Sequence, residues 1–160
     1  TPYIICNDYM YNELKNIKVP TTIMTNSAEN NGNIFGAVDY LNHKKDIINT
    51  GVTIKEYEGG ISYHGKSMTI DDDIAIVGSF NMDMRSAYID TELMLVINSK
   101  DINKQLKASM EEYEKKAATV KNETEYSHIP EGMKMKELSD KKKNIKAWFG
   151  WAMNGLRFLF

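Results

Sequence analysis

His64 and Lys66 stand two residues apart in His64-Gly65-Lys66. Asp71 follows after four residues, and after six more comes Gly78-Ser79-Phe80-Asn81. On a strand, side chains two apart share a face, so the imidazole and the ammonium project together. That pair suits a phosphodiester: lysine neutralises non-bridging oxygens, while histidine attacks phosphorus or protonates the leaving oxygen. Ser79 and Asn81 repeat the two-residue spacing after Gly78, where the backbone can turn tightly. Their hydroxyl and amide can donate to the same phosphate oxygens. A lone His–Lys pair on a strand is ordinary surface decoration. A carboxylate and a Gly-Ser-x-Asn element at set distances make chance agreement a poor explanation.

These residues need a scaffold. Residues 2–6 read as a strand, followed by a helix capped by Asn7 or Asp8 that runs to about Lys18 and buries Met10, Leu14 and Ile17. Pro20 ends it. A β-branched strand over 21–25, a polar loop over 26–33 and a helix over 34–49 come next, with Gly51 as the helix stop. Val52, Ile54 and Tyr57 mark another strand, and Gly59-Gly60 turns the chain. Two strands, 61–70 and 74–77, are joined by Asp71-Asp72-Asp73. After a loop over 78–85, a strand over 91–98 leads to a helix over 101–116 with Asp101 as its N-cap. The expected class is α/β, a mixed β-sheet flanked by helices, with a C-terminal helical tail. Residues 1–120 form the domain, 121–132 a polar linker, and 133–160 a basic amphipathic helix whose regular part starts near Leu138.

The central stretch resembles the phospholipase D superfamily, whose signature is His-x-Lys, four residues, Asp, then Gly-Ser-x-Asn. His64, Lys66, Asp71, Gly78, Ser79 and Asn81 meet every position. The resemblance is strong over 59–98 and looser back to Thr1, where Thr-Pro-Tyr looks like the opening of the second catalytic half in cardiolipin synthase-like members. Thr25-Asn26-Ser27 also looks like a loop of those bacterial enzymes, and past Asp101 the match is weak. The resemblance implies a phospholipase D-like fold. It makes His64 catalytic, assigns Lys66, Ser79 and Asn81 to the phosphate, and makes Glu92 the carboxylate that orients the histidine. Asp71 belongs to the signature's catalytic set, yet its place at a strand end within an Asp triplet suits a turn-stabilising role better. No cofactor and no metal are expected, and the triplet lacks EF-hand spacing. His43 and His128 fall outside the signature and read as surface residues.

Family chemistry takes two histidines, one forming a phosphohistidine and the other protonating the leaving alcohol. This chain offers one, so the partner motif comes from an upstream half of the same polypeptide or from a second copy across a twofold axis. Thr1 stands where a starting Met would be, and the strand at 2–6 is already under way, which favours more protein upstream.

Composition narrows the substrate. The 160 residues are 42% hydrophobic and 26% charged, an ordinary folded chain. Cys6, the one cysteine, allows no internal disulfide. Of the net charge of -2, residues 1–132 carry 13 Lys/Arg against 20 Asp/Glu, and residues 133–160 carry 7 against 2. An acidic body argues against a nucleic-acid partner. The tail places Ile145, Trp148, Phe149, Ala152, Leu156, Leu159 and Phe160 on one helical face, with Lys146, Gly150, Asn154 and Arg157 opposite. It is too short for a confident span. It suits a membrane interface or packing on the domain. The expected enzyme is a phosphatidyltransferase or phospholipase acting on glycerophospholipids, membrane-associated (peripherally or through an upstream region) and bacterial. A nucleic-acid phosphodiesterase and a degenerate supporting half are the alternatives.

Overall fold

A computed structural model describes residues 1–152 and Arg157. In chain order the elements are β1 (Ile4–Ile5), α1 (Asp8–Asn16), β2 (Thr22–Asn26), α2 (Ile34–Ile48), β3 (Thr53–Tyr57), β4 (Ser67–Ile70) and β5 (Ile74–Gly78). They continue with β6 (Met82–Asp83), α3 (Met84–Tyr88), β7 (Met94–Asn98), α4 (Lys100–Glu114), β8 (Ala117–Val120), β9 (Tyr126–His128) and α5 (Asp140–Ala152). Strands pair as β1–β6, as β2–β3–β8–β9 and as β4–β5–β7. The β1–β6 and β2–β3 ladders are parallel and the others antiparallel. Mixed pairing covered by helices is the expected α/β class.

The helices begin where their caps dictate. Asn7 accepts from the Met10 amide at 3.0 Å, and Asn33 accepts from the amides of Phe35 and Gly36, each at 3.1 Å. Helix α4 is capped by Ser99 rather than Asp101, with the Ser99 hydroxyl accepting from the Ile102 amide. Gly51, with φ of +89°, follows the last turn of α2. Between these helices and the β2–β3 strands lies a core of Ile4, Cys6, Tyr11, Leu14, Ile23, Tyr40, Ile47, Val52 and Ile54. Each large aliphatic in it, such as the fully buried Ile47, contributes about 1.5–3 kcal/mol.

Two segments depart from the sequence expectation. The strand expected over 61–70 forms only at 67–70, because residues 60–63 are bonded by asparagine side chains instead of a neighbouring strand. Within 121–132, expected to be a linker, β9 joins the sheet and Tyr126 donates to Glu56 at 2.5 Å. That carboxylate also receives Tyr40 at 2.5 Å and pairs with the buried Lys44 at 2.8 Å.

The tail docks on the domain through its cations. Lys142 is buried, its ammonium donating to the carbonyls of Ala28, Glu29 and Asn31 at 2.8, 2.5 and 3.0 Å. Arg157, expected on the outer polar face, instead donates to Asp39 at 2.7 Å and to the Cys6 carbonyl at 2.8 Å. Ile145 is half-buried and Trp148, expected beside it, is 75% exposed. The remaining stripe positions Leu156, Leu159 and Phe160, the side chains of Phe149 and Ala152, and Asn154 lie outside the described residues. No described helix is long and apolar enough to cross a membrane.

Candidate active site

The site forms at the open end of the β4–β5 hairpin. Lys66 precedes β4, and its carbonyl accepts from the Gly78 amide at 3.1 Å, which extends the ladder by one step. Gly78 has no alternative: a Cβ there would meet the Leu93 carbonyl oxygen at 2.1 Å and Met94 Cα at 2.9 Å. Strand β7 passes so close that only glycine fits. This contact brings Ser79 beside Glu92, since the Ser79 amide donates to Leu93 at 3.0 Å.

His64 is exposed and Lys66 half-buried. The Lys66 ammonium lies 3.0 Å from His64 Nδ1 and donates to the His64 carbonyl at 3.0 Å. An ammonium has only donors, so Nδ1 is the acceptor and the neutral ring carries its proton on Nε2. Partial loss of solvent around the ring, and then the lysine charge, hold the imidazole below its ordinary pKa. Burial also lowers Lys66, opposed by the carboxylates of Glu92 and Asp83.

Ser79 donates to Glu92 Oε2 and accepts from the Leu93 amide at 3.0 Å. Ser86 donates to Glu92 Oε1 at 2.7 Å and accepts from the Asn81 amide at 3.2 Å. The two hydroxyl bonds keep the Glu92 carboxyl below the usual range. Asp83 caps α3 by accepting from the Ser86 amide at 2.6 Å. One hydrogen-bonded chain thus runs Asn81–Ser86–Glu92–Ser79. The Asn81 amide oxygen is buried without a partner among the described residues, a group of the kind that ligands satisfy.

His64, Lys66, Ser79, Asn81 and Glu92 therefore come from one end of the β4–β5–β7 sheet. Glu92 differs from the expected histidine orienter. Both its oxygens accept from serines, and of the His-x-Lys pair it is the Lys66 ammonium that its charge supports. Asp71 is not brought to this end: it occupies the opposite hairpin turn with φ of +48°, its carbonyl bonded by Lys107. Five residues of strand rise separate it from Lys66, roughly 16 Å. Ser86 and Asp83 had no signal in spacing or periodicity, because both act through a single-turn helix. No group of three or more His, Cys, Asp or Glu among the described residues could hold a metal.

Residues 1–113 match the family described as cardiolipin synthase, phospholipase D-like domain. The chain belongs to the phospholipase D-like family. Among relatives of this phospholipase D-like domain, cardiolipin synthase 1 of Staphylococcus epidermidis is 31% identical over 140 residues, which cover 86% of this chain and 28% of that protein. The chain therefore spans under a third of that relative. In fold it is similar to the phosphatidylserine synthase of Haemophilus influenzae (TM-score 0.70, 15% identity, covering all of this chain and 40% of that one). It is also similar to Nuc of Salmonella typhimurium, a phospholipase D family member (TM-score 0.58, 18% identity, covering 74% of this chain and 78% of that one).

Proposed function

We propose that this domain is one catalytic half of a phospholipase D-type phosphodiesterase or phosphatidyltransferase acting on glycerophospholipids. The observation that carries it is the Lys66–His64 contact beside the Ser79–Glu92–Ser86 chain, in a chain related to cardiolipin synthase. Lys66 and the Asn81 Nδ2 donate to the non-bridging phosphate oxygens, and Ser79 joins them by turning its one hydroxyl proton from Glu92 to the phosphate. Glu92 aims the Ser79 hydroxyl and supports the lysine charge.

Of two histidines, one forms an N–P bond as the P–O bond to the leaving alcohol breaks, and the other gives that alkoxide its proton. The acceptor alcohol then attacks phosphorus, the N–P bond breaks, and the second histidine takes the alcohol's proton. His64 supplies one, as acid/base more readily than nucleophile, since Nε2 bears a proton and Nδ1 takes a second when Lys66 turns to the phosphate, giving an imidazolium that can protonate the leaving alkoxide. The other comes from a second His-x-Lys motif in the same polypeptide or in a second copy. Asp71 serves its turn.

Lipid is favoured over nucleic acid by the acidic body, with 13 Lys/Arg against 20 Asp/Glu over residues 1–132. Ile61 is 81% exposed and Leu93 79% exposed, on the segments that lead into His64 and out of Glu92. Two separate exposed side chains are compatible with an acyl chain nearby without forming a patch that selects one. A membrane-associated location for the whole protein accords with its relation to cardiolipin synthase. The test is turnover by full-length protein on phosphatidylglycerol vesicles and on DNA. Cardiolipin formation or headgroup release supports the reading, and cleavage of DNA alone overturns it.

A further inference from the structure

Among the described residues, His64 has no strand neighbour to hold it. It sits in the irregular stretch 61–66, between the Gly59-Gly60 turn and the first residue of β4. The neighbouring backbone is instead bonded by a side chain. Asn26, at the end of β2 and 1% exposed, accepts from the Tyr63 amide at 2.7 Å through Oδ1 and donates to the Tyr63 carbonyl at 2.8 Å through Nδ2. Its second N–H goes to the Pro2 carbonyl at 2.8 Å, and its oxygen also accepts from Asn30 at 3.1 Å. All the hydrogen-bonding capacity of the carboxamide is used.

Both polar backbone groups of Tyr63 are thus paired by one amide, the pattern that a residue on an adjacent antiparallel strand would supply. Asn30 extends the bracing by donating to the Ile61 carbonyl at 3.1 Å and accepting from the Gly60 amide at 3.0 Å. The Tyr63 ring is fixed as well, edge-on to Tyr57 and Tyr113 at 6.1 and 4.8 Å between centroids. A Cβ at Gly65 would meet the Tyr63 hydroxyl at 2.2 Å, so the ring lies along the strand beside the His64-Gly65-Lys66 run.

We infer that Asn26 is a positioning residue for His64. Its side chain replaces a missing strand, locks Tyr63, and so sets where the next residue presents its imidazole. This rests on His64 being the reacting group. A fully satisfied buried amide is costly to disturb, so the registration is stiff.

The experiment compares Asn26→Asp with wild type. Aspartate keeps the acceptors and loses the donors to Pro2 and Tyr63. In full-length protein on phosphatidylglycerol vesicles, kcat is expected to fall about 10- to 100-fold with KM within about threefold, the pattern of a displaced reacting group. In nitrogen-detected NMR of this chain, the His64 ring resonances are expected to shift. Ile47→Val, a core variant, controls for stability and leaves kcat within about twofold of wild type. If Asn26→Asp does not fold, Asn30→Ala removes one of the two donors to the Asn26 oxygen, and an intermediate loss of kcat with a smaller His64 shift is expected. Unchanged kcat together with unchanged His64 resonances, in whichever variant folds, overturns the inference. His64→Asn with wild-type turnover would instead refute the catalytic reading alone, and the NMR shift would still decide whether Asn26 positions His64.

Discussion

The ammonium of Lys66 lies 3.0 Å from Nδ1 of His64, so the two residues of the His-x-Lys motif form a contact before any substrate arrives. The lysine charge suppresses protonation of the ring. A bound phosphate dianion would draw the lysine away and favour the imidazolium.

The His64 pKa should therefore rise when inorganic phosphate binds, and rise partway towards 6.5 in Lys66→Met. Partial burial lowers it too and remains after the substitution. The depressed value also sets a sign for stability. The unfolded chain holds the His64 proton more tightly, so this group's contribution is present above about pH 6.5 and is lost as pH falls towards the folded pKa. Proton NMR titration of the ring with and without phosphate checks the direction; a fall on phosphate binding would contradict it.

Ser79→Ala should leave the Leu93 amide and one Glu92 oxygen without their partner. We expect the Glu92 carboxyl to move up towards its ordinary value and turnover to fall about 100- to 1000-fold, the range for loss of one oriented donor. Glu92→Gln should lower activity in the same direction, because an amide supports Lys66 less well than a carboxylate. Steady-state kinetics with carbon-13 titration of the Glu92 carboxyl measures both.

Asp71→Asn should leave kcat within about twofold and stability within about 0.5 kcal/mol, since asparagine tolerates the left-handed φ of +48° that the turn requires. A loss of activity beyond tenfold, with an unchanged melting curve, would return Asp71 to the chemical set.

Lys142→Met should destabilise the domain by about 1–3 kcal/mol, because three carbonyls of the 28–31 turn lose a charged donor. Vesicle binding should not change. Urea unfolding and a flotation assay separate these outcomes; weakened vesicle binding with unchanged stability would favour the tail as a membrane element.

Much of this arrangement was legible in the chain. Helical spacing and Asx caps located α1 and α2, and the spacing of His64, Lys66, Gly78, Ser79 and Asn81 located one end of a hairpin. Legibility failed where a side chain stands in for backbone. Residues 61–66 alternate like a strand, yet Tyr63 and Ile61 bond to Asn26 and Asn30, and pattern cannot distinguish those partners. It failed again at Tyr126–His128, three residues too few to show a period. The tail's cations read as the polar face of a helix at a membrane interface or on the domain, but Lys142 and Arg157 are spent on backbone carbonyls and Asp39. Charge in a sequence does not say whether its partner is water or protein.

The central claim is that His64 is one of the two reacting histidines of a lipid-directed phosphodiesterase. Its most direct test is turnover of phosphatidylglycerol vesicles by full-length protein carrying His64→Asn, with folding verified by circular dichroism. We predict loss of at least about a thousandfold in kcat, or about 4 kcal/mol of transition-state stabilisation. Turnover within tenfold of wild type would contradict the account.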